Sequence, residues 1–79
     1  MFYVYIVKSL KYNEKYTGYT TNLNLRLKKH NNGNVAHTKK FKPWELTFYA
    51  AFETKEKAIN FEKYLKSHSG IAFRNKRLI

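Results

Sequence analysis

The sequence predicts an α+β fold in which a small three-stranded antiparallel sheet is flanked by helices. Three observations carry this prediction: an alternating run of strand-forming residues near the start, a second such segment after a polar loop, and apolar residues at three- and four-residue spacing further on. A chain of 79 residues is long enough for one hydrophobic core, so we expect residues 1–79 to form a single domain.

The first predicted strand covers residues 2–8, and its side chains alternate between two faces. One face carries Phe2, Val4 and Ile6, and the other carries Tyr3, Tyr5 and Val7. A polar connection containing Asn13 leads to a second strand over residues 15–19, which suits a hairpin loop longer than two residues. A third strand is expected over residues 44–52.

The first helix is expected to begin after the N-cap candidates at residues 20–22. Leu23 and Leu27 then mark one helical face, because residues four apart lie on the same side of a helix. The sequence Asn31-Asn32-Gly33 is expected to end this helix, since Asn and Gly tolerate the backbone conformation that follows a last turn.

The second helix is predicted from Thr54 to about Ser67, with a glutamate, Glu62, inside its apolar stripe. The other members of that stripe are Ala58, Ile59, Phe61 and Leu65. Because burial of an unpaired carboxylate is costly, Glu62 must reach the edge of the interface, pair with Lys or Arg, or bind a metal ion. Gly70 is expected to separate this helix from a last basic segment.

The charge balance points to a polyanionic partner. Sixteen Lys and Arg against five Asp and Glu give a net charge of +11, which favours nucleic acid or an anionic membrane surface. Membrane is the weaker choice, because the apolar run at residues 2–7 is broken by Lys8, is too short to span a bilayer and lacks the layout of a signal peptide. An intracellular, cytoplasmic location is therefore expected.

The chain offers little for zinc or disulfides. It has no cysteine, which excludes disulfides and thiolate zinc sites. Its three histidines, His30, His37 and His68, lack the compact spacing of zinc ligands, so a histidine metal site is disfavoured.

Four residues become candidates for a site only when taken together. Arg26 and His30 stand four apart on the first predicted helix, so both side chains can lean toward the same edge. Singly, a helical Arg is usually a solvated charge and a His beside an apolar face is usually a packed, hydrogen-bonded residue. Tyr5 and Tyr16 likewise fit ordinary cross-strand aromatic pairing. Their joint order along the chain is what singles them out.

That order resembles the GIY-YIG nuclease family over nearly the whole chain. Tyr3-Val4-Tyr5 looks like the family's Gly-Ile-Tyr motif, and Tyr16-Thr17-Gly18 looks like its Tyr-Ile-Gly motif. Residues 21–31 match Thr-Asn-Leu-x-x-Arg-x-x-x-His-Asn, and residues 54–66 resemble the family's Glu-containing helix. The particular resemblance is to small single-domain members related to the N-terminal nuclease domain of the bacterial excision-repair incision subunit, which implies a role in DNA repair.

The resemblance implies a metal-dependent endonuclease that hydrolyses phosphodiester bonds in DNA with Mg²⁺ or Mn²⁺. Glu62 would be the sole protein metal ligand, since such ions keep most of their waters and accept one carboxylate plus substrate phosphate. Tyr16 would orient or deprotonate the attacking water, and Arg26 would neutralise charge on the phosphoryl oxygens. Tyr5 and His30 would relay or position a proton, in roles that the sequence leaves interchangeable.

The basic residues outside this set are expected to bind phosphates flanking the scissile bond, with strong salt dependence and little sequence preference. They are Lys28, Lys29, Lys39, Lys40, Lys42, Arg74, Lys76 and Arg77. No base-reading helix is evident, so substrate choice would come from DNA shape or from a recruiting protein partner.

The chain departs from the family pattern at two motif positions. Tyr3 replaces the first glycine, where a side chain can crowd the backbone beside the site, and Thr17 replaces an isoleucine, which is a mild change. Several family members carry an asparagine after the metal-binding helix. Asn75 is the nearest candidate here, but its register leaves it outside the predicted site.

Two other function classes fit part of the pattern. The first is a nucleic-acid-binding module that has the nuclease fold without turnover, against which stands the presence of Tyr16, Arg26, His30 and Glu62 together. The second is a small RNA- or ribosome-associated basic protein, which the charge and the aromatic content favour. RNA binding alone gives no reason for Glu62 on an apolar face. RNA is also an open alternative to DNA as the substrate of a nuclease.

Overall fold

A three-stranded antiparallel sheet lies at the centre of the protein in the computed structural model, which describes residues 1–79. The strands β1 (Phe2–Ser9), β2 (Lys15–Thr20) and β3 (Trp44–Phe52) are arranged in the order β2-β1-β3. Helix α1 (Leu23–Asn31) and a short 3₁₀ turn (Lys39–Phe41) connect β2 to β3, and helices α2 (Lys55–Lys66) and α3 (His68–Arg77) follow β3. The predicted α+β fold is confirmed.

The central strand β1 is buried on both faces, as its position between two partners requires. On one face Val4 and Ile6 pack with Ala58 and Leu65 of α2, and all four are fully buried. On the other face Tyr5 and Val7 pack with Trp44 and with leucines of α1. The alternation predicted for this strand is confirmed, and it assigns α1 and α2 to opposite faces of the sheet.

The strand registers decide which side chains meet beside β1. In the pairing with β2, Tyr5 lies opposite Gly18 and Val7 lies opposite Tyr16. The pairing with β3 contains a bulge, because Ile6 pairs with Phe48 whereas Val7 pairs with Leu46. The residue left over in β3 is Thr47, whose hydroxyl donates a hydrogen bond to the Ile6 carbonyl at 3.1 Å.

The helix ends follow the capping chemistry expected from the sequence. The side chain of Asn22 accepts a hydrogen bond from the Leu25 N–H at 3.1 Å, and that of Thr54 accepts one from the Lys57 N–H at 3.3 Å. Past the end of α1, Gly33 adopts a φ of +76°, a conformation in which a side chain would be strained.

The prediction that Gly70 separates α2 from a basic segment was wrong. The break lies at Ser67, which ends α2 and caps α3 by accepting a hydrogen bond from the Gly70 N–H at 3.1 Å. Gly70 is inside α3, where a Cβ atom would lie 2.5 Å from the Tyr64 carbonyl carbon and 2.8 Å from the Leu65 Cα. Glycine is therefore required here because the first turn of α3 packs directly on the last turn of α2.

Candidate active site

Three buried side chains, hydrogen-bonded in series, lie beneath the candidate site. The Tyr5 hydroxyl and His30 Nε2 are 2.7 Å apart, and His30 Nδ1 is 2.7 Å from the Thr38 hydroxyl. All three side chains are at most 1 % exposed. Trp44 fixes the far end, because its indole N–H donates to the Thr38 carbonyl at 2.8 Å. Strand β1, helix α1 and the segment before β3 are joined through these contacts.

Burial keeps the Tyr5–His30 pair neutral. It raises the pKa of Tyr5 above its ordinary value, and the neighbouring Tyr16 adds to that increase, while Arg26 opposes it. Burial also lowers the pKa of His30, and the positive charge of Arg26 lowers it further. At neutral pH both groups are uncharged, so one nitrogen of the imidazole carries a proton and the other accepts one.

Gly18 makes room for the Tyr5 ring. A Cβ atom at this position would overlap the Tyr5 hydroxyl and would lie 2.6 Å from the Tyr5 Cζ and 2.9 Å from the Tyr16 Cε2. Glycine is therefore required at this position of the second motif, because only a residue without a side chain lets the phenol of Tyr5 lie across β2.

A second group of side chains lies between this buried pair and solvent. Tyr16 and Arg26 are both half-buried. The Tyr16 ring centroid is 5.3 Å from that of His30 and 6.4 Å from that of Tyr5. From the opposite face of the sheet, α2 contributes Lys66, whose Nζ lies 5.6 Å from the centroid of the Tyr16 ring. The two faces of the protein thus meet at the β2 edge.

Glu62 forms an ion pair but remains partly accessible to solvent. Its Oε2 accepts from Lys66 Nζ at 3.0 Å, in an ion pair one helical turn apart, and the Glu62 side chain is 18 % exposed. Its other oxygen, Oε1, has no hydrogen-bond partner in the protein, and the carboxylate is close enough to contribute to the raised pKa of Tyr5. Two of the three outcomes foreseen for this residue, the edge position and the cationic partner, are therefore met together.

The donor set fits a hard divalent cation only as a site completed by substrate. The protein contains no group of three or more His, Asp or Glu side chains placed to hold a metal ion. Mg²⁺ commonly binds through one or two carboxylates and retains waters and phosphate oxygens as its remaining ligands. Glu62, with one oxygen unbonded at a solvent-reachable edge, matches that mode and is the residue that would hold the ion.

The eight predicted phosphate-binding residues fall into two groups. Lys28 and Lys29 in the last turn of α1 and three lysines around the 3₁₀ turn form one group. Arg74, Lys76 and Arg77 in the last turn of α3 form the other. All are exposed except the half-buried Arg74, and none has an acidic partner, because the Glu62–Lys66 pair is the only ion pair in the protein.

Two residues of this site, Thr38 and Lys66, were not predicted from the sequence. Thr38, which holds His30, lies in an irregular segment that offers no periodic signal. Lys66 was visible as the residue four positions after Glu62, a spacing at which oppositely charged side chains meet. Asn75, in contrast, is exposed on α3, and its side chain is hydrogen-bonded only to Arg74, at 3.4 Å, so the structure does not bring it to the site.

Comparison with known proteins decides the family. A family model described as the GIY-YIG catalytic domain matches residues 1–76. The chain belongs to the GIY-YIG family. This membership supports a nuclease-type function acting on nucleic acid, in a domain whose family generally depends on divalent metal.

The relatives of this GIY-YIG chain are small bacterial proteins. It is 45 % identical over 65 residues to the UPF0213 protein YazA of Bacillus subtilis, which covers 81 % of this chain and 65 % of that protein, just under two thirds of its length. It is 44 % identical over 68 residues to the UPF0213 protein SH2523 of Staphylococcus haemolyticus, covering 85 % of this chain and 82 % of that protein.

The solution NMR structure of the UPF0213 protein BH0048 from Bacillus halodurans is similar with a TM-score of 0.57 at 34 % identity, covering 96 % of this chain and 84 % of that one. The shared fold includes the three-stranded sheet on which the candidate site lies. None of the helices of this chain has the length and apolar character needed to cross a membrane.

Proposed function

We propose that residues 1–79 act as one metal-dependent endonuclease unit that hydrolyses phosphodiester bonds in DNA. The observation that carries this proposal is that Lys66 links Glu62 to Tyr16 at the β2 edge, while Glu62, Tyr16 and Arg26 are all close enough to the buried Tyr5 to influence its pKa. A carboxylate oxygen without a protein partner, a phenol and a guanidinium can supply a metal ligand, a general base and charge stabilisation for metal-assisted phosphodiester hydrolysis.

Tyr16 is the group that we assign to the attacking water. It is half-buried, whereas Tyr5 is 1 % exposed and has its hydroxyl occupied by His30. To act as a base, Tyr16 must accept the proton of the water as the water oxygen attacks phosphorus. Lys66, whose ammonium lies over the Tyr16 ring, is the cation next to this side chain.

Arg26 is assigned to the phosphoryl oxygens. It is half-buried, has no acidic partner and extends from the same helical face as His30. A planar guanidinium can donate two parallel hydrogen bonds to a phosphate, and these strengthen as negative charge accumulates during displacement of the leaving oxygen.

Tyr5 and His30 are assigned to positioning. Side chains that are at most 1 % exposed cannot touch a substrate in this arrangement, so the pair acts by holding Tyr16 and Arg26 in place. A Mg²⁺ or Mn²⁺ ion bound at Glu62 would act as a Lewis acid on the phosphate and on the attacking water.

The basic residues around the site suggest how the substrate is held and selected. The unpaired basic residues of α1, the 3₁₀ turn and α3 are proposed to hold DNA on either side of the scissile phosphate, with strong salt dependence. Specificity is proposed to come from substrate structure or a recruiting protein. A DNA substrate and a chain without cysteine favour the cytoplasm as the compartment.

Glu62→Gln tests this proposal against a matched control in the same helix. Supercoiled plasmid and branched DNA are incubated with the protein and Mg²⁺, Mn²⁺ or chelator, and DNA binding is measured separately. We expect metal-dependent nicking that Glu62→Gln abolishes without loss of DNA binding. Glu56→Gln, which removes an exposed carboxylate from the first turn of α2, should cut normally.

Two results would overturn the proposal. If both variants cut like the native protein, Glu62 is not the metal ligand. If no variant cuts any substrate while all bind DNA in a salt-sensitive manner, the chain is a binding module with the nuclease fold.

A further inference from the structure

A pocket of about 390 Å³ lies beside the candidate active site and has no part in the chemistry assigned above. Its walls include Tyr3 and Tyr49, and Leu23 and Leu46 add apolar surface. The start of α1 supplies a polar rim that includes Asn22 and Asn24. This volume is near the lower end of the range for small-molecule sites, so the pocket suits one planar group better than a larger ligand.

The tyrosines of this pocket present aromatic surface to solvent. Tyr49 is 54 % exposed although it lies on a strand, and its ring meets that of Tyr3 edge-on at a centroid distance of 6.2 Å. Tyr3 is the residue that stands where the family motif has glycine. It faces the pocket beside Tyr49, and the backbone of β1 continues in regular register past it.

The pocket is next to the proposed site of cleavage. Tyr49 is the Cα partner of Tyr5 in the β1–β3 pairing. Leu23 precedes Arg26 by three residues on α1, which is about one helical turn. A ligand in the pocket is therefore an immediate neighbour of a phosphate held by Arg26.

We infer that this pocket binds one unpaired nucleobase of the nucleic-acid substrate, next to the phosphate that is cut. The inference rests on the proposed function for its substrate class. Bases without a pairing partner stack on aromatic side chains and form hydrogen bonds through their exposed edges. The Asn24 side chain makes no hydrogen bond within the protein, so its donor and acceptor are available to a base edge. The net charge of +11 supplies the attraction for the strand that carries the base.

The occupant is single-stranded rather than duplex. In a duplex the faces of each base are covered by its neighbours and only edges are open in the grooves, so an aromatic pocket gains nothing from it. A nucleotide in a loop, flap or gap has a free face. The substrate class that follows is DNA containing an unpaired nucleotide beside the scissile bond.

Substitution at Tyr49 tests the inference through binding alone. A labelled single-stranded oligonucleotide and a blunt duplex are titrated at fixed salt in the presence of chelator, so that no cleavage is needed. Tyr49→Ala should weaken single-strand binding by roughly 5- to 150-fold, the range expected for loss of one base–aromatic stack. Tyr49→Phe should bind normally, because it keeps the aromatic ring on which the base is proposed to stack. Duplex binding should be unchanged in both.

Tyr12→Ala is the matched control, because Tyr12 is exposed to a similar extent, 52 %, but lies in the β1–β2 loop away from the pocket. Unchanged single-strand binding by Tyr49→Ala would overturn the inference, and so would equal losses from Tyr49→Ala and Tyr12→Ala.

Photo-crosslinking of the native protein to a strand containing 4-thiothymidine tests the inference without any substitution. Adducts at Tyr3 or Tyr49 support the pocket, and adducts confined to α3 refute it. These binding experiments contain chelator and need no cleavage, so a negative result does not contradict the nuclease proposal. In the same way, a negative result with Glu62→Gln does not prevent the binding experiments from testing the pocket.

Discussion

Tyr5→Phe removes one oxygen atom from the buried chain under the site and should destabilise the protein measurably. Phenylalanine keeps the ring in its place between Gly18 and His30, so the change isolates the hydrogen bond of 2.7 Å to His30 Nε2. His30 is fully buried, and water cannot replace the missing partner without opening the structure. The imidazole nitrogen is therefore left unsatisfied.

The expected magnitude follows from that unsatisfied atom. Leaving a buried donor or acceptor without a partner costs about 1–3 kcal/mol in free energy of unfolding. For a domain of this size each kcal/mol corresponds to about 4–8 °C in Tm, so the variant should melt roughly 4–24 °C lower. The loss is smaller than the ~5–15 kcal/mol stability of typical domains, and the variant should remain folded at 25 °C.

Urea denaturation followed by circular dichroism measures this effect. The midpoint should fall while the slope stays constant, because the surface exposed on unfolding does not change. Tyr12→Phe is the matched control, since the Tyr12 hydroxyl is on an exposed side chain without a hydrogen bond, and it should change stability by less than about 0.5 kcal/mol. If Tyr5→Phe is as mild as Tyr12→Phe, the Tyr5–His30 bond does not have the buried, structural role assigned to it.

Two further predictions concern proton uptake and phosphate contacts. Because burial lowers the pKa of His30 in the folded protein, the unfolded chain takes up a proton first as pH falls below about 6.5. The contribution of His30 to the free energy of unfolding is therefore complete above about pH 6.5, and it is lost progressively as the pH falls toward the lower pKa of the folded state. An NMR titration in which His30 of the folded protein protonates at or above about pH 6.5 would contradict this. Neutralising the three lysines of the 3₁₀ region, Lys39, Lys40 and Lys42, should reduce the slope of log Kd against log salt concentration for DNA binding by up to about 3. Removing three exposed lysines of α2, Lys55, Lys57 and Lys63, should leave the slope near the native value. Equal slopes for both triple variants would show that the lysines of the 3₁₀ region do not bind phosphates at defined positions.

The parts of the fold that the sequence predicts correctly are those governed by a local period. Alternation over β1 places Val4 and Tyr5 on opposite faces whatever else the chain does, and the four-residue spacing of Arg26 and His30 puts them on one side of α1. Caps at Asn22 and Thr54 are equally local, because the side chain bonds an N–H three residues away.

The features that the sequence did not predict depend on contacts between distant segments. Thr38 is eight residues from His30 in an irregular segment, and its role exists only once that segment folds under α1. Glycine is required at position 70 because α3 closely approaches the Tyr64 backbone, and the spacing of apolar residues in the sequence gives no sign of this contact. Gly18 is an intermediate case, because its position opposite Tyr5 follows from the hairpin register, whereas the overlap with the phenol depends on where that ring points.

The pairing of Glu62 with Lys66 is compatible with the metal binding that we propose for this carboxylate. A half-exposed lysine paired at one helical turn stabilises a protein by only about 0–1 kcal/mol, and the Lys66 side chain is 49 % exposed. A divalent ion held by Glu62 would offer this carboxylate a larger charge than the Lys66 ammonium does. Lys66 already lies over the Tyr16 ring, so release from Glu62 leaves its ammonium beside the phenol that we assign as the base. Lys66 therefore links Glu62 and Tyr16, the two side chains that we propose as metal ligand and base.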